Sequence, residues 1–316
     1  MDASLARGFV RQEAQQISAA HQQIRHIPDE LGKMVADRFR GRRRLSASSL
    51  NLLAGEIDKK AGCALSSVLS SRAHRASSKA RPNAIRYDIV HYLVEAVPQP
   101  LVAGTTPKDR IMRLCVFSAM LDQRAVTMRL RETPLCFWEH AARRYLVRGG
   151  EEHEAAVRAI ARRLASTFIL PSMVLNTRGA AAEGSTLAIP FADGLLLGGF
   201  QASPRPENSG GLVTFNRYCM QQRTIPYGIS SNFVVKTYVN PRQLSPDQRE
   251  VAREMEAWLA SHQEAAEAAI MQFYRVDDSN ETDIMAPEAW KRLKADFLSM
   301  WSRLSGVLSP LGHFDE

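Results

Sequence analysis

The sequence predicts an α+β protein: a basic N-terminal helical region, an antiparallel sheet of about four strands flanked by helices, and a C-terminal helical hairpin. Three observations carry that expectation. A paired-strand pattern, "STLAIPF" then "GLLLGGF", is interrupted only by Ala192 and Asp193, the spacing of a tight hairpin. A capping box at Ser245, Pro246 and Gln248 opens a long apolar-periodic stretch, which is how a helix start reads. The excess of positive charge is confined to the first quarter of the chain, which sets that part apart from the rest. Residues 1–83, 84–244 and 245–316 are accordingly read as a basic helical region with a Ser/Arg-rich linker, an α+β core domain and the hairpin, packed on or extending the core.

At 316 residues, with 45% hydrophobic and 23% charged residues, the chain can bury a sizeable core. Residues 2–27 repeat Leu5, Phe9, Ile17, Ala20, Ile24 and Ile27 at steps of three and four, or sums of them, predicting a helix. A second begins at "IPDELGKMVADRF", with Pro28, Asp29 and Glu30 suited to its first turn. "SASSLNLLAGEID" and "CALSSVLSSRAHR" read as short helices, and "RASSKARPN" (75–83) as the linker.

In the core domain, "IRYDIVHYLVEAV" suits either a strand or a buried helix, and "RIMRLCVFSAM" a buried strand. "DQRAVTMRLRE" reads as a helix from Asp122, and "TPLCFWEHAARRYLVRGG" as a helix with Thr133 as N-cap and Pro134 in the first turn. "EEHEAAVRAIARRLASTFI" is another, laced by Glu154, Arg158 and Arg162. "NFVVKTYV" alternates as a half-buried strand does, and "QASPRPENSGG" reads as a polar loop. In the hairpin (246–308), Val251, Met255, Trp258, His262 and Phe273 on one arm answer Leu293, Phe297, Met300 and Leu304 on the other, across the acidic "VDDSNETD".

Charge supplies the functional lead. From Met1 to Arg81 there are 15 Lys and Arg against 7 Asp and Glu, while the remainder balances. Arg38, Arg40, Arg42, Arg43 and Arg44 crowd into seven positions. Guanidinium groups pair with phosphate in a bidentate way, so the run is read as a nucleic-acid or polyanion site. The competing reading is a solvated helix end in an arginine-rich chain, in which 33 of 41 cations are Arg.

Catalytic candidates are fewer. His140, Arg144 and Arg148 fall on one helical stripe with Arg143 beside them, and Glu139, Glu132 and "GGEEHE" stand ready to neutralise them. Cys136 lies four residues before His140, one metal-ligand spacing, but no local pair supplies further ligands. His91 and Glu95 lie four apart. An enzyme would need His91, His140, Arg129 and Lys236 to meet in one cleft. The chain contains no G-x-x-x-x-G-K-[ST], G-x-G-x-x-G or H-E-x-x-H, so no cofactor and no metal is expected.

Cys63, Cys115, Cys136 and Cys219 form no C-x-x-C pair, which suits reduced thiols in the cytoplasm. No apolar run approaches membrane length and no signal peptide is read at the N-terminus. The function expected is therefore phosphate-backbone binding by a cytoplasmic nucleic-acid-associated protein. The alternative is a protein-interaction module, an adaptor, regulatory subunit or effector, docking or self-associating through the 246–308 hairpin, where Trp258, Phe273, Phe297 and Trp301 would be its anchors.

Overall fold

A computed structural model describes residues 1–24, 27–64, 67–76, 85–97, 110–148, 155–178, 182–202, 207–216, 220–228, 231–265 and 292–300. Three helices come first, α1 (Ala3–Ile24), α2 (Ile27–Phe39) and α3 (Ala47–Ala64). They are followed by β1 (Leu69–Ala76), β2 (Ile85–Val97), β3 (Ile111–Asp122) and β4 (Ala125–Trp138). Next come α4 (Glu139–Arg148), α5 (Ala156–Ser166) and α6 (Ile169–Arg178), then β5 (Thr186–Phe191), β6 (Gly194–Ala202), β7 (Glu207–Asn216), β8 (Met220–Gly228) and β9 (Ser231–Val239). A 3₁₀ turn (Pro241–Gln243), α7 (Pro246–Ser261) and a helical stretch at 292–300, here α8, complete it.

The expected four-stranded antiparallel sheet is wrong: the strands form one large mixed sheet that curls as a half-barrel. Seven strands follow the order β1-β2-β3-β4-β9-β6-β5, and the β7–β8 hairpin branches off β4. β4 makes this possible by serving two neighbours. Residues 125–130 pair antiparallel with β7, whereas Leu135–Phe137 pair parallel with β9. Between them, Thr133, Pro134 and Leu135 stand opposite Leu114 alone. Pro134 cannot donate to a ladder, so a proline here belongs at a bulge. Thr133 Oγ1 donates to the Leu114 carbonyl at 2.7 Å and accepts from Leu135 N at 3.2 Å. "DQRAVTMRLRE" and "TPLCFW" are thus strand, Thr133 and Pro134 are a bulge rather than a helix cap, and the helix starts only at Glu139.

Two further segments change type. Leu69–Ala76, expected helical, is the edge strand β1, and residues 207–211 of the expected loop belong to β7. "IRYDIVHYLVEAV" is β2. The β5–β6 hairpin forms as expected, with Ala192 and Asp193 both at positive φ (47° and 61°), the geometry of a type I′ turn. Gly194 is required there, because a Cβ would sit 2.3 Å from the Val239 carbonyl oxygen.

Each face of the sheet has its own core. One gathers α1, α4, α5 and α6 over Val90, Tyr92, Val94, Met112, Leu114, Val116, Leu135 and Phe137, and continues to Val251 and Met255 of α7 and Leu293, Phe297 and Met300 of α8. The other lays Leu31, Val35 and Phe39 of α2 and Leu50, Leu53 and Ile57 of α3 over Ile89, Leu93, Cys115, Phe117, Leu121, Val126 and Met128. Helices before residue 83 therefore share cores with strands after it; most of the linker, 77–83, lies outside the described residues. In α1 the buried stripe is Ala6, Val10, Ala14 and Ile17, while Leu5 and Phe9 stay 60% and 47% exposed. Small residues on that stripe let α1 approach α4 and α5 closely.

α5 begins without its own cap, since Ala155 has no capping side chain. Glu13 of α1 supplies it, its carboxylate accepting from Val157 N and Arg158 N at 2.9 Å each. That carboxylate thereby satisfies amides the helix leaves open and sits at the positive end of its dipole. The α7 capping box forms as read from sequence. Trp258 meets Phe297 edge-on at 5.8 Å between centroids, so the described ends of the hairpin pack together; residues 266–291 lie outside the description. Its apolar stripe is largely spent on the first core. No described helix is long and apolar enough to cross a membrane.

Candidate functional site

The arginine run is a fixed corner, not a tail. α2 ends as Phe39 buries, and Gly41, at φ 69°, reverses the chain so that Arg42 N reaches the Phe39 carbonyl at 3.0 Å. Such a left-handed glycine is the common way to end a helix. Leu45 is buried and its N–H bonds the Gln123 carbonyl at 2.8 Å, which pins the corner to the β3–β4 turn. Ser46 then caps α3, its Oγ accepting from Ser49 N at 3.2 Å.

The five guanidinium groups have different fates. Arg38 pairs with Glu56 of α3, and Arg40, 82% exposed, with Asp37 at 2.7 Å. Arg44 forks onto the neutral amide oxygen of Gln123. Arg42 and Arg43 are exposed, and no side-chain hydrogen bond or ion pair engages them among the described residues. Arg124, on the adjoining turn, is exposed too, while Asp122 beside it is occupied by the backbone N–H groups of Arg124 and Ala125 at 2.6 and 2.8 Å. The corner thus presents Arg42, Arg43, Arg44 and Arg124 with no carboxylate bound to their guanidinium groups in the described structure.

The catalytic candidates do not converge. His91 lies on β2 beneath α3, 1% exposed, with Nε2 3.0 Å from Asp58 Oδ1 and Gly62 packed against the ring. Burial holds its pKa below the usual histidine value against the pull of Asp58. Arg129 alternates with Met128 and Leu130, whose side chains join the α2–α3 core, so it points to the opposite face from His91. His140 stands on α4, and Lys236 is exposed on β9. Cys136 is on β4 rather than on a helix with His140, which removes the one-face metal pair.

Sequence reading missed a polar group on the α2–α3 side of the sheet. Arg113, 5% exposed, pairs with Glu132, and the Cys115 thiol donates to Glu95 Oε2 at 3.3 Å. Period-two alternation in β2, β3 and β4 would have put these on one face had β4 been read as a strand. The group is not a thiol nucleophile. Burial, then Glu95 and Glu132, hold the Cys115 thiol well above its usual pKa; burial also raises Cys136 despite Arg113. Among the described residues no three His, Cys, Asp or Glu side chains are placed to hold a metal.

On α4, Arg143 donates to His140 Nδ1 at 2.8 Å and Arg148 to Gln243 Oε1 at 3.0 Å. The carboxylates expected to neutralise this stripe are drawn elsewhere: Glu139 is buried 4.0 Å from Arg110, and Glu132 is on Arg113. "GGEEHE" lies outside the described residues.

No protein-family model matches the chain, and neither does a curated protein or a solved structure.

Proposed function

We propose that the protein binds the phosphate backbone of nucleic acid, in the cytoplasm, through the corner formed by Arg42, Arg43 and Arg44 with Arg124. The observation that carries this reading is the pair Arg42 and Arg43, exposed and unpartnered among the described residues on a backbone anchored through Arg42 N to the Phe39 carbonyl and Leu45 N to the Gln123 carbonyl. A rigid loop loses little entropy on binding, and a guanidinium fork fits a phosphate in two hydrogen bonds. Arg38 and Arg40 already hold carboxylates, so they add little. Free Cys63, Cys115 and Cys136 suit a reducing compartment. Catalysis forms no part of the proposal.

Four phosphate contacts give log affinity a slope of about −3.6 against log salt on duplex DNA. Fluorescence anisotropy with a labelled duplex and a labelled single strand, across a salt series, measures it. Changing Arg42, Arg43 and Arg44 to Gln should flatten the slope by about 2.7. An unchanged slope and affinity in that variant would refute the reading.

A further inference from the structure

We propose that α4 forms a second, separate nucleic-acid site, in which Arg144 and Arg148, flanked by Arg143, grip a phosphodiester strand while the corner holds another. This rests on the proposed function for the class of ligand, but on different residues. Elsewhere in the described chain, Arg86, Arg113 and Arg163 meet the carboxylates of Asp88, Glu132 and Glu256, while Arg72 and Arg162 take the neutral Asn51 amide and the Val68 carbonyl. Among the described residues Arg144 meets none and makes no hydrogen bond, and the Arg148 guanidinium meets only the neutral Gln243 amide. Besides partial burial, it is Arg148 and Arg143 that push the Arg144 pKa down, the sign of cations crowded on one another. Phosphate relieves that repulsion, and a guanidinium is the side chain suited to take it bidentately.

Geometry makes the site linear and remote from the first. From Arg143 to Arg148 the stripe rises about 7.5 Å along the helix, the length of about two phosphates along one strand of a duplex at about 3.4 Å each. β4 starts just after Arg124 and ends just before α4, and its 14 residues span at most about 45 Å. The corner belongs to the α2–α3 face, whereas α4 packs on the other. The two patches therefore face different ways, and each can take its own segment.

The test uses the full chain and a labelled DNA hairpin of eight base pairs, about 27 Å long, with stoichiometry read by sedimentation and bridging by coincidence of two dye colours. Two hairpins per chain, with two-colour coincidence, are expected for the wild type. Arg144→Gln with Arg148→Gln should leave one hairpin and no coincidence, the lost site weakened roughly tenfold or more. Arg144→Lys with Arg148→Lys should restore part of it, and a thermal melt shows whether each variant folds. Should Arg148 prove needed for folding through Gln243, Arg144→Glu alone gives the same loss. One hairpin per wild-type chain, or two in the folded α4 variant, overturns the inference. If the α4 variant loses its hairpin while the corner variant keeps both, this site stands and the corner reading falls.

Discussion

The two faces of the sheet solve burial in different ways. The α1–α4–α5–α6 face is a broad apolar core that runs from Met112 and Phe137 through Phe233 and Tyr238 to α7 and α8. The α2–α3 face is smaller and carries polar groups inside it or at its margin: His91 with Asp58, Arg113 with Glu132, Cys115 with Glu95. The broad face closes its polar ends with backbone partners, as Glu13 does for α5. The smaller face closes them with side-chain partners on neighbouring strands and α3. Both faces rest on apolar burial, and the smaller face adds a contribution that depends on ionisation.

Substitutions break this comparison in graded steps. Phe137→Ala, in the broad core, should destabilise by about 3–5 kcal/mol, measured by urea denaturation. Glu132→Ala leaves Arg113 buried without its partner and should cost about 3 kcal/mol, the low end for a split buried pair because Glu132 is itself 32% exposed. If Glu132→Ala were neutral, the smaller face would not depend on charge at all. Glu13→Ala strips the cap from α5 and should cost about 1–2 kcal/mol, with faster amide exchange at Val157 and Arg158 as the local readout.

His91 sharpens the same comparison through pH. Its folded pKa lies below the ordinary histidine value of 6.5, so as pH falls through 6.5 the unfolded chain takes the proton first. Stability is then complete above that pH and declines below it; His91→Gln should flatten the decline in a pH series of melts. The smallest effect is at the corner. Arg42→Gln and Arg43→Gln hold nothing in the described fold, so stability should stay within about 0.5 kcal/mol while the salt slope for nucleic acid changes.

Where local chemistry suffices, the sequence was readable. The Ser245 capping box needs only four consecutive residues, and the Ala192–Asp193 turn only its flanking strands. β4 failed that test. Its Arg, Ala, Met and Glu are good helix formers, and Thr133-Pro134 imitates a helix start. The alternation of Val126, Met128 and Leu130 with Thr127, Arg129 and Arg131 was equally present and decides the matter only once β3 and β7 lie on either side. Missing β4 as a strand lost the fork, and with the fork the join between β3 and the β9, β6 and β5 strands. β1 and β7 were missed for a related reason, since "LSSRAHRA" and "ENSGGLVTFN" hold too few apolar residues to announce a strand.

The site divides along the same line. The crowding of Arg38, Arg40 and Arg42–Arg44 is plain in the sequence, but which of them are free is not. Glu56 lies 18 residues from Arg38 and Gln123 lies 79 from Arg44, and only folding brings each pair together. The α4 stripe shows the reverse: its neighbours Glu139 and Glu132 look like partners in sequence, and tertiary structure sends them to Arg110 and Arg113. By itself the sequence determined the Ser245 helix start, the tight hairpin and the placing of charge, because these depend on residues within a turn or two of one another. Tertiary structure alone decided that β4 is a strand with two partners and which arginines meet carboxylates, because strand pairing and ion pairing are settled between residues far apart in the chain.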